Sequence, residues 1–381
     1  MYGSLIHNLG DYILAKYYIE TDSNLSQVAE KIAFMETTDV WVGDGKPTEL
    51  YEQCKGKVYK IEETEKGKGI ISILLPMKNI NLEIASFAGV WLSMIGGAAF
   101  AMNDYRKSRL MDFSLPAYAI KYFPGPKFGI KRTREYLGVK NELIIGTIVK
   151  PTSGLTPEEV ARLCYEVSSS GVQFIKDDEK MMNPEYCPLK KKVKLVMEAL
   201  KKVYEETGRK VIYTPHISAG PDRIKDLAYE ALECGAKGLM LNFYGAGFGS
   251  LEILAKDKNI DVPLYAHCGG KEAASRADGQ GINPVVIAKF ARLTGGDYFR
   301  TGIVGGYLVG SLEENKAMVD ALREEVPGIN QSFPVISGGL SPYNIKENIE
   351  AFGKDVLALA GKGIYNYPGG PKAAIAAMKS V

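Results

Sequence analysis

The sequence is short of several things, and each shortage removes a class of protein. It holds 5 cysteines, Cys54, Cys164, Cys187, Cys234 and Cys268, scattered, odd in number and with no CxxC pair. That excludes a disulfide-framed module and argues against structural zinc, so a reduced, cytoplasmic protein is expected. Neither sign of charge is in excess, with 47 Lys+Arg against 45 Asp+Glu and a net charge of +2. The balance argues against a dedicated nucleic-acid binder. No apolar run approaches the ~20 residues of a membrane span. The stretch from Met1 to Asp11 lacks the basic and long apolar regions of a signal peptide. Neither a nucleic-acid nor a membrane partner is therefore expected. Histidine is scarce, 3 in 381 residues, so where each one falls is informative.

What is present is an ordinary globular composition, 46% hydrophobic and 24% charged, with length for roughly two or three domains. Up to about residue 130, strand-like runs (12–19, 57–63, 69–76) mix with helical runs (24–35, 80–94). That mixture reads as an antiparallel sheet with helices, an α+β domain. The Pro- and Gly-rich stretch Tyr122-Phe123-Pro124-Gly125-Pro126-Lys127-Phe128-Gly129 marks the boundary. The expected domains are 1–130 and 131–381.

Beyond about residue 140 the rhythm is regular. Apolar runs recur at 143–149, 172–175, 211–214, 238–241, 263–266, 298–300, 334–337 and 356–360. Helically spaced stretches follow them at 157–169, 190–206, 223–234, 251–256, 284–293, 312–325, 341–352 and 371–379. Thr156-Pro157-Glu158-Glu159 and Ser341-Pro342 are helix-start signals. Eight strand–helix pairs in about 240 residues is the count and size of a (β/α)8 barrel. The fold class expected is α/β, a C-terminal (β/α)8 TIM barrel with an N-terminal α+β domain. A doubly wound open sheet is the alternative, weakened by the lack of a dinucleotide fingerprint.

In such barrels the active site gathers at the C-terminal strand ends. Here the first strand ends in Lys150-Pro151 and the second in Lys176, Asp177, Asp178 and Glu179. The third ends near His216, the fourth at Asn242, the fifth at His267, the sixth at Arg300, the seventh at Ser337-Gly338-Gly339, and the eighth runs into Gly361-Lys362-Gly363. Three adjacent carboxylates after a buried strand are costly unless paired or bound to a hard cation such as Mg²⁺. A solvated acidic turn is the plainer reading of that run alone. Glycines after the last two strands sit where barrels bind phosphate through backbone N–H groups, and Arg300 can add a charged fork to phosphate or carboxylate.

Read together, these blocks resemble the large subunit of ribulose-1,5-bisphosphate carboxylase (RuBisCO), and most of all its RuBisCO-like, type IV group. Gly146-Thr147-Ile148-Val149-Lys150-Pro151 matches the family's strand-one motif, and Phe174-Ile175-Lys176-Asp177-Asp178-Glu179 its metal motif. Leu293-Thr294-Gly295-Gly296-Asp297 and Ser337-Gly338-Gly339 match two further blocks, and Thr37-Thr38-Asp39-Val40-Trp41 resembles a substrate-contacting loop. The resemblance implies that CO₂ forms a carbamate on Lys176, which binds Mg²⁺ together with Asp178 and Glu179. It implies Lys150 as an acid, base or charge stabiliser near an enolate and His267 as a catalytic histidine. It gives Gly338, Gly339, Gly361 and Gly363 to phosphate. It also implies a homodimer, or an assembly of dimers.

The departures from the family pattern are selective. Tyr307 stands where carboxylases carry the lysine of the loop after strand six. Thr152, Cys268, Lys271 and Arg300 replace a lysine, an arginine and two histidines, and Ala98 falls where an asparagine reaches the partner's site. The metal and enolisation residues are kept, while those that position CO₂ for addition are lost. The expected function is a Mg²⁺-dependent enzyme forming a metal-bound enolate from a small phosphorylated keto sugar or related keto compound. Its type would be enolase, isomerase or decarboxylase, without CO₂ fixation. The alternatives are a true carboxylase with an unusual sixth loop and a non-catalytic binding or regulatory homologue.

Overall fold

A computed structural model describes residues 2–308 and 310–381. By internal contacts the chain forms two units. One contains residues up to Phe123 with Gly270–Leu293 and Val326–Ile329; the other is Pro124–Gly269 with Thr294–Glu325 and Asn330–Val381.

The first unit is built on an antiparallel sheet in which Tyr12–Glu20 lies between Lys107–Pro116 and Lys68–Pro76, with Lys57–Glu65 at the edge. Along Tyr12–Glu20 the side chains of Ile13, Ala15, Tyr17 and Ile19 are buried, the period-two pattern of a sheet with one face on a core. Helix Leu25–Met35 buries Leu25, Val28, Ala29 and Ile32, one helical stripe. Its start is fixed by the Asn24 side chain, which accepts from the N–H groups of Ser26 and Gln27.

Lys107–Pro116 is a strand that the hydrophobic pattern does not announce. It carries Asp112, fully buried, whose Oδ1 accepts from Lys289 Nζ at 2.6 Å and whose Oδ2 accepts from Gly3 N–H at 2.6 Å. Lys289 lies on helix Pro284–Leu293, every residue of which is buried, and Phe290 of that helix stacks on Phe113 at 4.5 Å.

The second unit contains a nearly closed barrel of eight parallel strands. In chain order they are Ile144–Ile148, Phe174–Lys176, Ile212–Thr214, Leu239–Asn242, Leu264–His267, Tyr298–Arg300, Phe333–Ile336 and Leu357–Leu359. Each ladder joins chain neighbours, the eighth strand pairs with the first, and a His216–Met240 bridge joins third to fourth. The strands are short and buried on both faces, which is why they read as apolar runs rather than alternating ones. The barrel interior is filled by Ile144, Phe174, Ile212, Met240, Tyr265, Tyr298, Phe333 and Leu357. Phe174 meets Tyr298 edge-on at 5.0 Å. Helix Gly129–Leu137 packs Leu137 onto this core, and Thr133 hydrogen-bonds Tyr298 through their hydroxyls at 2.8 Å.

Below the strands, Asp297 ties three segments together. Its Oδ1 accepts from the N–H groups of Phe128 and Gly129 at 2.6 and 2.8 Å, and its Oδ2 from Leu264 N–H at 2.7 Å. Burial pushes its carboxyl up to about 6, against the pull of those donors.

Candidate active site

Side chains at the end of the second strand alternate, and the alternation divides their labour. Asp177 is fully buried and accepts from Lys192 Nζ at 2.5 Å, Tyr213 Oη at 2.8 Å and His216 N–H at 3.0 Å. Both members of the Lys192–Asp177 pair are sealed from solvent. Asp177 is thus an anchor tying the strand end to helix Leu189–Thr207 and to the third strand.

Lys176 faces the opposite way. Its Nζ donates to the Asp177 carbonyl at 2.9 Å, sits 3.5 Å from Glu179 Oε2 and lies 5.8 Å from the centre of the Tyr265 ring. Burial holds its ammonium below the usual lysine range, although Glu179 and Asp178 oppose the shift. Asp178 Oδ2 accepts from Lys150 Nζ at 2.5 Å, and Lys150 also donates to Thr152 Oγ1 at 3.1 Å. Glu179 Oε2 lies 3.4 Å from His267 Nε2. Two groups of polar contacts thus meet at this end of the barrel, Lys150 with Asp178 across the first and second strand ends, and Lys176 with Glu179 and His267 across the second and fifth.

The histidines in this mouth are neutral. His267 Nδ1 accepts from Gly269 N–H at 3.1 Å, which leaves the proton on Nε2, facing Glu179. Burial holds its pKa well below the ordinary value, and Lys176 and Arg300 push the same way. His216 shares a hydrogen bond with Ser218 Oγ at 2.5 Å, and Ser218 accepts from Asn242 N–H at 2.7 Å. Burial pushes His216 down to about 4. Tyr265, one layer below His267 on the same strand, keeps its hydroxyl buried with no hydrogen-bond partner among the described residues.

The donor set can be tested against the implied Mg²⁺ and carbamate. Among the described residues no three His, Cys, Asp or Glu side chains gather as a metal site. Asp178 and Glu179 supply two carboxylates, and a carbamate on Lys176, as the resemblance implies, would add a third anionic ligand. Burial favours the neutral amine of Lys176, the form whose lone pair can attack CO₂. The residues fit the group.

The glycines at the seventh and eighth strand ends differ among themselves. Gly338 and Gly339 adopt φ values of +111° and +112°, which favour glycine. At Gly361 a Cβ would meet only Ile148 and Lys150 carbons at 3.8 Å, leaving its backbone open toward Lys150. At Gly363 a Cβ would fall 2.2 Å from the Leu340 carbonyl, so packing against the seventh loop already demands glycine there. Ser337 is buried at its strand end, and Arg300 is half-buried at the end of the sixth strand. Cys268 donates its thiol to the Arg300 carbonyl at 3.8 Å. Tyr307 is 80% exposed. Sequence reasoning passed over Lys192, Asn344 and Asn348, whose partners lie on other segments. It did place His216 and Asn242 at strand ends.

Comparison with known proteins bears on this geometry. Residues 129–381 match the catalytic-domain model of the ribulose bisphosphate carboxylase large chain, and residues 5–119 match the model of its N-terminal domain. The chain is 32% identical to a ribulose bisphosphate carboxylase of Methanocaldococcus jannaschii, over 94% of this chain and 88% of that protein. It is 31% identical to a 3-oxo-isoapionate-4-phosphate decarboxylase of Rhizobium rhizogenes, over 96% of this chain and 91% of that one. The crystal structure of octameric RuBisCO from Pyrococcus horikoshii superposes with a TM-score of 0.90 at 28% identity, covering 99% of this chain and 88% of that one.

Proposed function

The chain belongs to the ribulose bisphosphate carboxylase large-chain family, and from that premise we propose that it is a RuBisCO-like enzyme that forms an enolate from a phosphorylated keto compound and does not fix CO₂. One observation carries the proposal. Lys176, whose proton affinity burial lowers, stands 3.5 Å from Glu179 and next to Asp178 in the chain, while Lys150 touches Asp178 at 2.5 Å. Mg²⁺ held by a Lys176 carbamate, Asp178 and Glu179 would supply Lewis-acid polarisation of the substrate carbonyl. Lys150 holds a proton at Nζ for exchange with the substrate carbon or oxygen. His267 keeps its proton on Nε2 and orients Glu179. Gly338, Gly339 and Gly361 bind phosphate through backbone N–H groups, and Arg300 takes a second anionic group at the end of the sixth strand. Ser337 and Gly363 support the loops from below.

The decarboxylase relative supports a monophosphate, since its name is that of an enzyme acting on a phosphorylated 3-oxo compound. Decarboxylation, enolisation and isomerisation share one enolate, so the site serves any of the three. The carboxylase relatives favour a second reading, true carboxylation. Against it, the sixth loop offers an exposed phenol at Tyr307 and no amine from 302 to 308. We assign the chemistry to residues 131–381, with 1–130 as a separate domain, and place the enzyme in the cytoplasm as a homodimer or an assembly of dimers. No helix among the described residues is long and apolar enough to cross a membrane.

The test is Mg²⁺ titration with and without bicarbonate, in wild type and in Lys176→Ala. Bicarbonate tightens binding in wild type and leaves the variant unchanged. Equal affinities in all four titrations would remove the carbamate. Radiolabelled CO₂ fixed onto ribulose 1,5-bisphosphate would favour the second reading instead.

A further inference from the structure

We infer that Asn344 and Asn348 are positioning residues that clamp the loops after the sixth and seventh strands together, and that this clamp aims backbone N–H groups at the phosphate. The inference rests on the phosphate reading of Gly338 and Gly339 above.

Asn344 precedes helix Ile345–Phe352 and Asn348 lies one turn into it, so the two share a helix face. Asn348 is fully buried. Its Oδ1 accepts from Val304 N–H at 2.8 Å, and its Nδ2 donates to the carbonyls of Val304 at 3.4 Å and Asn344 at 2.8 Å. Asn344 turns to the seventh loop, where its Nδ2 donates to the Gly339 carbonyl at 3.1 Å and its Oδ1 accepts from Ser341 N–H at 2.8 Å. A third asparagine, Asn315 on helix Leu312–Arg323, donates to the Ile303 carbonyl at 3.3 Å. The sixth loop is thereby fastened at two consecutive residues by side chains from two helices.

The two loops then touch. Tyr307 N–H donates to the Gly338 carbonyl at 3.3 Å. A Cβ on Gly306 would fall 2.8 Å from the Gly338 oxygen, and one on Gly339 would fall 3.2 Å from the Tyr307 ring. Contact this close needs glycine on both sides.

The consequence follows from peptide geometry. In a trans peptide the C=O of one residue and the N–H of the next point in opposite directions. The Gly338 carbonyl is held by Tyr307 and the Gly339 carbonyl by Asn344. The N–H groups of Gly339 and Leu340 are therefore turned away from the clamp, and neither makes a hydrogen bond among the described residues. Donors from successive residues, with their carbonyls tied back, are the elements of an anion nest. The sixth loop works here as a buttress through its backbone. The Tyr307 side chain, exposed to solvent, is not what holds it.

The experiment measures binding of inorganic phosphate by calorimetry, together with hydrogen exchange over 302–308 and 338–341. It uses wild type, Asn348→Leu and the milder Asn344→Ala, with melting temperature as a check on folding. Wild type shows slow exchange at 302–308 without phosphate, and phosphate slows exchange at 338–341. Each variant binds phosphate about tenfold more weakly, the effect of one misdirected hydrogen bond to an ion. Asn348→Leu also frees exchange at 302–308. Phosphate binding equal to wild type in both variants overturns the clamp and leaves the functional reading standing. Fast exchange at 302–308 in unliganded wild type does the same. Wild type that fails to bind phosphate removes the phosphate reading, and the clamp's role with it.

Discussion

Replacing Lys192 by methionine removes a charge that no solvent reaches and leaves Asp177 buried. The two groups are 2.5 Å apart and both are fully buried. Removing one partner of a buried ion pair costs about 3–5 kcal/mol, because the remaining charge has lost its compensation. Asp177 keeps the Tyr213 hydroxyl and the His216 N–H as donors, which places the loss near the lower end of that range. Methionine fills similar volume, so no cavity term adds to it. About 3 kcal/mol corresponds to a melting temperature lower by about 6–12 °C in a domain of this size. The assay is a calorimetric melt of Lys192→Met beside wild type, with Mg²⁺ titration in bicarbonate on the same samples. Asp177 lies between Lys176 and Asp178, so a displaced anchor weakens Mg²⁺ binding as well. A variant that melts within 2 °C of wild type would refute the view that the Lys192–Asp177 pair holds the second strand end in place, where about 2 °C is less than 1 kcal/mol.

Two further outcomes follow from the buried polar groups. Asp297→Asn turns an amide N–H₂ toward either Leu264 N–H or the Phe128 and Gly129 pair, so donors face donors and the melt falls by about 2–4 kcal/mol in equivalent free energy, read by calorimetry. His216 is depressed to about 4 in the folded protein and titrates near 6.5 when unfolded, so its contribution is complete above pH 6.5 and is lost as pH falls toward 4. That is about 3 kcal/mol from this group, and melting temperature between pH 7 and pH 4.5 falls less steeply in His216→Gln than in wild type if the assignment is right.

The barrel is easy to read in the sequence because its strands are buried on both faces. Runs such as 143–149 and 298–300 carry their burial in their own composition, and Ile144–Ile148 and Tyr298–Arg300 fall within them. Lys107–Pro116 was not legible for the converse reason. Lysine, arginine, aspartate and two serines break its pattern, yet Ser108, Asp112 and Ser114 are all buried. What permits Asp112 there is Lys289, 177 residues away, and no local window contains that fact. Helix Pro284–Leu293 hides the same exchange from the other side, since its Lys289 looks like a solvated residue until Asp112 is seen.

The site shows the same division at finer grain. Four consecutive residues, Lys176 to Glu179, announce charge at a strand end, and spacing alone marks them as a group. What spacing does not reveal is that Asp177 belongs to a different network from its neighbours. The strand ends at Lys176, and the contacts beyond it separate the two carboxylates, Asp177 turning to Lys192 and Tyr213 and Asp178 to Lys150. Had Asp177 faced the mouth with its neighbours, three carboxylates would crowd one lysine, and their combined negative potential would raise its proton affinity further. Lys192 instead pairs with Asp177 behind the strand. Burial lowers the proton affinity of Lys176 more than Glu179, Asp178 and Asp177 raise it. Lys192, on helix Leu189–Thr207 and with no contact to the mouth among its hydrogen bonds, thus holds Asp177 apart from the Lys176, Asp178 and Glu179 side chains.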